Sequence, residues 1–549
     1  MRIKRILGSL LLFAACVLSS HASGNWSLQG VDYTVDTVKH CVIGPGTTLT
    51  VVDLKGPVVQ RVFYTVTDLS NPNVALKTIC GNDELKTSYT IPAMVTNHAD
   101  NKNVYFAGVN ADLFSSTGPI GNTVVDGEIY KIAKTSTDWF MVAADADKNL
   151  YYGQPYTTYR LYSTATGQMS PKGVNVALGS NDFIIYTSRF GSNTGTTSGN
   201  TGVEVRLEPI DGGLKSAGTT KMKVVTAATS SLANSSIPAD GFVLSANASW
   251  YMTPLQKLAV GDTVEITPTF TLNSTKIENI EQMAGGCPVI LVNGAIQNND
   301  GLLDHLTLRR PRTSIGTDAT GTKMVMLVVD GDALNADVSA GCGSKDLAAM
   351  MLAVGCTNAI NFDGGGSSTM YTSSLGVQNV PSDGGLRKVR SGWFITTPND
   401  GDETIATIRY ADFAKALAVS ESYTPVIYGY NAVDLLVNPS VSDYALSCRK
   451  AGAAISTDGK SVSFSKDGLY NLIATQGSHS AILQVKVGEG GTLLKGDVNE
   501  DGTVNVSDVT SLVNRILGDL TYSDSICDVN GDGRVDVSDA TAIISLILN

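Results

Sequence analysis

Several things are scarce in this chain, and each scarcity removes a class of function. Its 549 residues include only five histidines, which do not cluster, and none of its eight cysteines forms a C-x-x-C pair. Zinc needs such donors grouped, so no zinc site is expected. Lysine and arginine (39) are outnumbered by aspartate and glutamate (51), and no basic run offsets the formal net charge of -12. Nucleic acid is therefore not expected as a partner, because phosphate backbones are bound by concentrated cationic side chains. No apolar segment is long enough to span a bilayer as a helix.

The apolar run at 6–18 follows Arg2, Lys4 and Arg5 and precedes Ser20-His21-Ala22. A charged start, a short apolar run and a small-x-small site are the pattern of a secretory signal peptide, here 1–22. The protein is expected to be secreted or on the cell surface, with a lipoprotein anchor at Cys16, after Ala14-Ala15, as the alternative. Seven cysteines remain beyond this segment: Cys41, Cys80, Cys287, Cys342, Cys356, Cys448 and Cys527. Their odd number leaves at least one outside any pair within the chain, and spacing does not fix the pairing.

The length suits about three domains. Residues 23–397 read as one large α+β domain with mixed, largely antiparallel sheets, because short β-branched runs alternate with turn signals. The polar stretch 191–201 reads as a solvated hairpin tip. Near 324 the period changes: a buried strand ends at Asp330-Gly331, and Gly343-Ser344 opens a helix with Leu347, Met350, Met351 and Val354 on one face. Gly355 stops the helix, and a second strand runs into Asn361-Phe362-Asp363. If the two strands are parallel, Asp330 and Asp363 come out on the same sheet edge as neighbours. Residues 398–489 have the rhythm of a β-sandwich (Ig-like) without evident chemistry.

Residues 490–549 contain an internal repeat. Asp497, Asn499, Asp501, Asn505 and Asp508, and again Asp528, Asn530, Asp532, Asp536 and Asp539, fill positions 1, 3, 5, 9 and 12 of a calcium loop, with Gly502 and Gly533 at position 6. Thr503 and Arg534 stand at position 7, which acts through its carbonyl. Each loop leads into an amphipathic helix, so a small α-helical paired calcium-loop module holding two Ca2+ is expected. This repeat resembles the type I dockerin module, and the resemblance implies folding around calcium and docking on a cohesin-type protein. Ser507-Asp508 and Ser538-Asp539 stand near the positions that read the partner in that family.

The large domain concentrates its chemistry in a few stretches: Asn110-Ala111-Asp112-Leu113-Phe114, Gly285-Gly286-Cys287-Pro288, Arg309-Arg310-Pro311-Arg312-Thr313, Asp330, and Asp363-Gly364-Gly365-Gly366-Ser367-Ser368. Arginine forks and glycine-loop amides both suit a phosphate or carboxylate. An anionic ligand flanked by carboxylates is the expected occupant. In order and wording, these stretches, with Asn379-x-Pro381 before Arg387, resemble the phosphodiester glycosidase family, although many members carry Asn-Gly-Gly-Phe-Phe at 110–114.

The resemblance implies hydrolysis of a sugar-1-phosphodiester, of the N-acetylglucosamine-1-phosphate type, to free sugar and phosphomonoester. On that reading Asp363, Arg312, Asp330, Asn110 and Asp112 are the catalytic candidates. Gly364, Gly365, Gly366, Ser367, Ser368 and Arg387 are the substrate-binding ones. Asp363 would stabilise the cation developing at the anomeric carbon or activate water, and Arg312 with the loop amides would hold the phosphate. A bound active-site metal is left open. The competing reading is a non-catalytic carbohydrate or cell-wall binding scaffold, which has no need for the carboxylates.

Overall fold

The computed structural model describes residues 25–99, 102–133, 139–210, 212–299, 301–303, 305–331, 338–488, 495–499, 503–518, 522, 524–529 and 535–548. The signal-peptide segment and Cys16 lie outside them. Two compact units form: residues 25–407 with 428–439, and residues 408–427 with 440–549. The architecture is β-rich with few helices, and its sheets are antiparallel or mixed.

The large unit is organised on a nine-stranded sheet in the order Asn25–Leu28, Val31–Gly44, Thr47–Lys55, Val59–Asp68, Lys323–Val329, Arg312–Thr317, Asn358–Asn361, Val289–Val292, Ala295–Ile296. Lys323–Val329 is buried at six consecutive positions because both of its faces are covered. The helix Ser344–Ala353 turns Leu347, Met350 and Met351 into a core with Val325, Leu327, Val52 and Leu54. It ends where expected, with Gly355 at φ +98°.

The strands carrying Asp330 and Asp363 do run parallel, but they are not adjacent. Arg312–Thr317 is inserted between them, antiparallel to both, with Arg312 opposite Val329 and Ser314 opposite Asn361. Three chain segments, at 312, 330 and 363, therefore emerge on one edge. A five-stranded antiparallel sheet, Gly376–Val377, Met370–Thr372, Asn103–Asn110, Ser391–Pro398, Ala75–Cys80, brings Asn110 to the same place.

A third sheet packs a large apolar cluster. Thr263–Leu272 alternates strictly, with Val264, Ile266, Phe270 and Leu272 inward, as a strand with one covered face must. The 191–201 stretch is exposed at most positions but closes no hairpin, since the strands on either side, Phe183–Thr187 and Val203–Pro209, both pair with Phe242–Ala246. The buried Glu204 carboxylate gathers it, accepting the hydroxyls of Thr194 at 2.8 Å and Thr196 at 2.9 Å and the N–H groups of Ser235 at 2.9 Å and Ala233 at 3.1 Å. A buried carboxylate needs such donors, and the turn-rich sequence hid which residue would collect them. Cys80, Cys342 and Cys356 are small core residues whose thiols burial pushes up to about 12.

The second unit contains the long hairpin Gly468–Gln476 with His479–Val487, joined by Lys415–Leu417 and Ala445–Ser447. Its C-terminal part is helical: Val506–Ile516 and Val537–Leu548 pack Leu512 and Ile543 with Val498 and Val529.

Candidate active site

The sheet edge at 312, 330 and 363 opens into a cleft of about 340 Å³ lined by Asp363, Gly364, Gly365, Gly366, Arg310, Arg312, Arg387, Asp383, His305, Ser382, Leu113, Asn361 and Phe362. Backbone bonds set Asp363 in place: its N–H donates to Ala111 O at 2.8 Å, and its carbonyl accepts Asn110 Nδ2 at 2.7 Å. Asn110 also accepts from Thr313 Oγ1 at 2.8 Å and from the Thr369 N–H at 3.1 Å. It is fully buried and joins three segments, so its part is to position Asp363.

Burial pushes the Asp363 carboxyl up to about 6, against the opposing pull of the Ser367 hydroxyl, the Arg387 guanidinium and the Gly364 N–H at 2.9 Å. Asp112 lies behind it, buried and held by the Gly121 N–H at 2.6 Å and Trp139 Nε1 at 3.1 Å. Burial raises Asp112 to about 7 despite those donors and Lys131, and the charge of Asp363 adds to the rise. Asp112, not Asp330, is thus the carboxylate that senses Asp363. Gly285 explains itself here, since a Cβ on it would come within 2.4 Å of the Asp112 carboxylate.

Asp330 faces another way. Burial raises it to about 6, and it accepts the Val380 N–H at 3.1 Å and Asn379 Nδ2 at 3.3 Å. Asn379 in turn accepts the Met370 N–H at 2.7 Å and donates to Ser368 O at 3.0 Å. Asp330 therefore pins the segment that carries Ser382, Asp383 and Arg387 over the glycine loop.

The loop amides do not form the expected cradle. Gly364 N–H goes to its neighbour Asp363 Oδ1, Gly365 N–H to Pro311 O at 2.9 Å, Ser367 N–H to Gly364 O at 3.3 Å and Ser368 N–H to Gly365 O at 3.1 Å. A tight 3-10 turn uses the Ser367 and Ser368 donors internally. The glycines serve space and conformation instead: Gly365 sits at φ +60°, and side chains at 364 and 366 would meet Pro311 O at 2.7 Å and the Asp383 carboxylate at 2.2 Å. Ser368 points inward to Thr313 Oγ1 at 3.1 Å.

Arg312 also differs from expectation. It is 2% exposed, with Nε on Cys342 O at 3.1 Å and Nη2 on His305 O at 2.7 Å, Leu308 O at 2.8 Å and Leu306 O at 3.4 Å. Those donors hold the cleft wall together. Arg310 and Arg387 are the more exposed guanidinium groups on the cleft, and Asp383, His305 and Arg310 are lining residues that the sequence reading did not assign. Arg310 stood in the quoted arginine stretch; Asp383 had no signal beyond standing four residues before Arg387.

Among the described residues, no three His, Cys, Asp or Glu side chains gather as a metal site. In the C-terminal loops, Asp501, Asn530, Asp532 and Arg534 lie outside the described residues. The described ones fit a cation: Asp508 and Asp539 are fully buried and Asp497 nearly so. Asp508 accepts the N–H groups of Asn499 at 3.0 Å and Asn505 at 2.8 Å, and Asp539 that of Asp536 at 3.0 Å. Carboxylates buried in so small a module call for a positive partner. Asn505 and Asp508 also form a capping box on Val506–Ile516, so Asp508 helps to start that helix.

Comparison with known proteins agrees with both resemblances. Residues 211–396 match the phosphodiester glycosidase family, and residues 495–548 match the dockerin type I domain. The first match contains Arg312, Asp330, Asp363 and Arg387 and leaves Asn110 and Asp112 outside. An SPbeta prophage-derived uncharacterized protein, YomE, of Bacillus subtilis is 35% identical over 99 residues, which are 18% of this chain and 15% of that one. A hypothetical protein from Synechocystis shares the fold with a TM-score of 0.50 and 15% identity, over 64% of this chain and 62% of its own. The zebrafish N-acetylglucosamine-1-phosphodiester alpha-N-acetylglucosaminidase catalytic domain, auto-inhibited by its pro-peptide, aligns at a TM-score of 0.33 and 11% identity, over 65% of this chain and 88% of its own. The chain thus spans a small part of the length of the curated relative it matches and about three-fifths of the Synechocystis protein.

Proposed function

We propose that the large unit hydrolyses sugars joined at C1 through a phosphodiester, of the N-acetylglucosamine-1-phosphate type, to free sugar and phosphomonoester. The observation that carries this reading is Asp363: a carboxylate raised to about 6 by burial, set on a cleft shared with Arg310 and Arg387. The phosphodiester glycosidase match over 211–396 supports it.

In this reaction the C1–O bond breaks and its electron pair stays on the phosphate oxygen. Water oxygen bonds to C1, one water proton passes to Asp363 and on to solvent, and the other remains on the new hydroxyl. The leaving phosphomonoester has a second ionisation near pH 6, so it departs with little help from an acid, and its charge falls to Arg387 and Arg310. Asp112 holds a proton up to about pH 7 and so keeps two adjacent carboxylates from charging together. Asn110 and Asp330 position the reacting parts, and Arg312 holds the wall.

In water enriched in heavy oxygen, the released sugar is expected to carry the label at C1 and the phosphomonoester none, read by mass spectrometry. Label in the phosphate would refute cleavage at carbon.

The same reading divides the chain into a signal peptide at 1–22 that directs secretion, a catalytic module at 23–397, an Ig-like β-sandwich at 398–489 and a dockerin-like module at 490–549. The last binds two Ca2+ and docks on a cohesin-type protein. Its exposed apolar residues recur at matching places in the two halves, Val506 with Val537 and Leu517 with Leu548, which supports a docking role. Calcium bound by the module's two acidic loops would tie them to the helices that follow, so its removal should unfold this part. Limited proteolysis of the full chain with chelator is expected to remove 495–548 and spare the large unit. Equal protection of 495–548 with and without chelator would count against calcium-dependent folding.

A further inference from the structure

Asp383 lines the same cleft as Asp363, beside the glycine loop. Its carboxylate takes two arms of the Arg387 fork, Nε on Oδ2 at 2.7 Å and Nη2 on Oδ1 at 3.0 Å, while Nη1 reaches Ser367 Oγ at 3.3 Å. It lies against Gly366 so closely that an added Cβ would fall within 2.2 Å of the carboxyl carbon and both oxygens. Asp330, through Val380 and Asn379, anchors the segment that brings it there. An i,i+4 pair of side chains that are 40% and 42% exposed adds little to stability. A two-point contact seated on a glycine and lining the cleft is instead suited to handling a charged ligand.

We propose that Asp383 is a positioning and charge-limiting residue. It aims Arg387 at Ser367 and keeps the cleft's positive charge low enough to take a monoanionic phosphodiester and let go of a dianionic phosphomonoester. This rests on the sugar-phosphodiester reading above. The charged and titratable groups that line the cleft are Arg387, Arg310, Arg312 and His305, against Asp383 and Asp363. A diester brings one negative charge, which matches the excess of three guanidinium groups over two carboxylates. A monoester brings nearly two at pH 8, and the second meets the Asp383 carboxylate on the same fork. Breaking the C1–O bond turns the first ligand into the second in place, so one carboxylate tolerates substrate and repels product.

The test uses the full chain at pH 8 and calorimetric titration with methyl phosphate and dimethyl phosphate, neither of which contains a glycosidic bond. In Asp383→Asn, methyl phosphate is expected to bind about tenfold tighter relative to dimethyl phosphate than in the parent, the size of one like-charge contact in a wet site. Asp383→Glu should restore the parent's ratio. A ratio unchanged in Asp383→Asn, or equal weakening of both ligands, would overturn the proposal. These titrations need no turnover, so failure to release sugar from a glycosyl-1-phosphodiester would speak against the proposed reaction and leave this result standing.

Discussion

Asp363→Asn is expected to lower kcat/KM on a sugar-1-phosphodiester by about 10³-fold, in the middle of the range for loss of a positioned acid–base group. Asparagine keeps the volume and the bond to Gly364 but can neither take a proton nor face a cation with charge. The parent's kcat/KM should fall as pH drops through about 6, where Asp363 becomes protonated. Stability should move the other way. The folded state binds this proton more tightly than the unfolded chain, whose ordinary value is 3.8. The carboxyl's favourable contribution is complete below about pH 4 and is lost as pH rises through 6. Removing the charge should therefore stabilise the protein above pH 7, by about 1–2 kcal/mol once the cleft's access to water is allowed for. Initial rates from pH 5 to 8 and denaturant melts at pH 4 and 8 measure both. Parental activity in Asp363→Asn would remove this residue from the chemistry.

Arg312→Met is expected to destabilise the large unit by about 3–5 kcal/mol. The guanidinium serves the carbonyls of Cys342, His305, Leu306 and Leu308 in a site closed to water, and methionine leaves them without those donors. Arg310→Met, on an exposed part of the same wall, should cost less than about 0.5 kcal/mol and show its effect in KM. Thermal melts and KM of the two variants separate a wall residue from a ligand-facing one. Parental stability in Arg312→Met, together with loss of phosphate binding, would return Arg312 to the role of clamp.

The contrast between these two arginines shows where reading from the chain stops. Both stand in one short cationic stretch, and composition gives no reason to prefer either. Strand pairing separates them: Arg312 is paired with Val329 inside the sheet and its buried side chain takes up backbone carbonyls, while Arg310, bridged to Cys342 before that strand begins, is exposed. Asp330 and Asp363 differ in the same way. Both follow buried strands, yet the strand inserted between them turns one to Asn379 and leaves the other on the cleft.

Patterns confined to neighbouring residues were settled by the sequence itself. Glycines that only a tight turn needs, apolar positions recurring at helical spacing in Ser344–Ala353, and a duplicated acidic loop leading into a helix are local, and local sterics and periodicity specify them. Which carboxylate faces which was left to the tertiary structure. The Asp112–Asp363 neighbourhood joins residues about 250 positions apart, and the Asp383 carboxylate meets Gly366 only because Asp330 anchors the intervening segment. Burial, which raises Asp363 to about 6, is likewise a property of the assembled cleft and not of any segment in it.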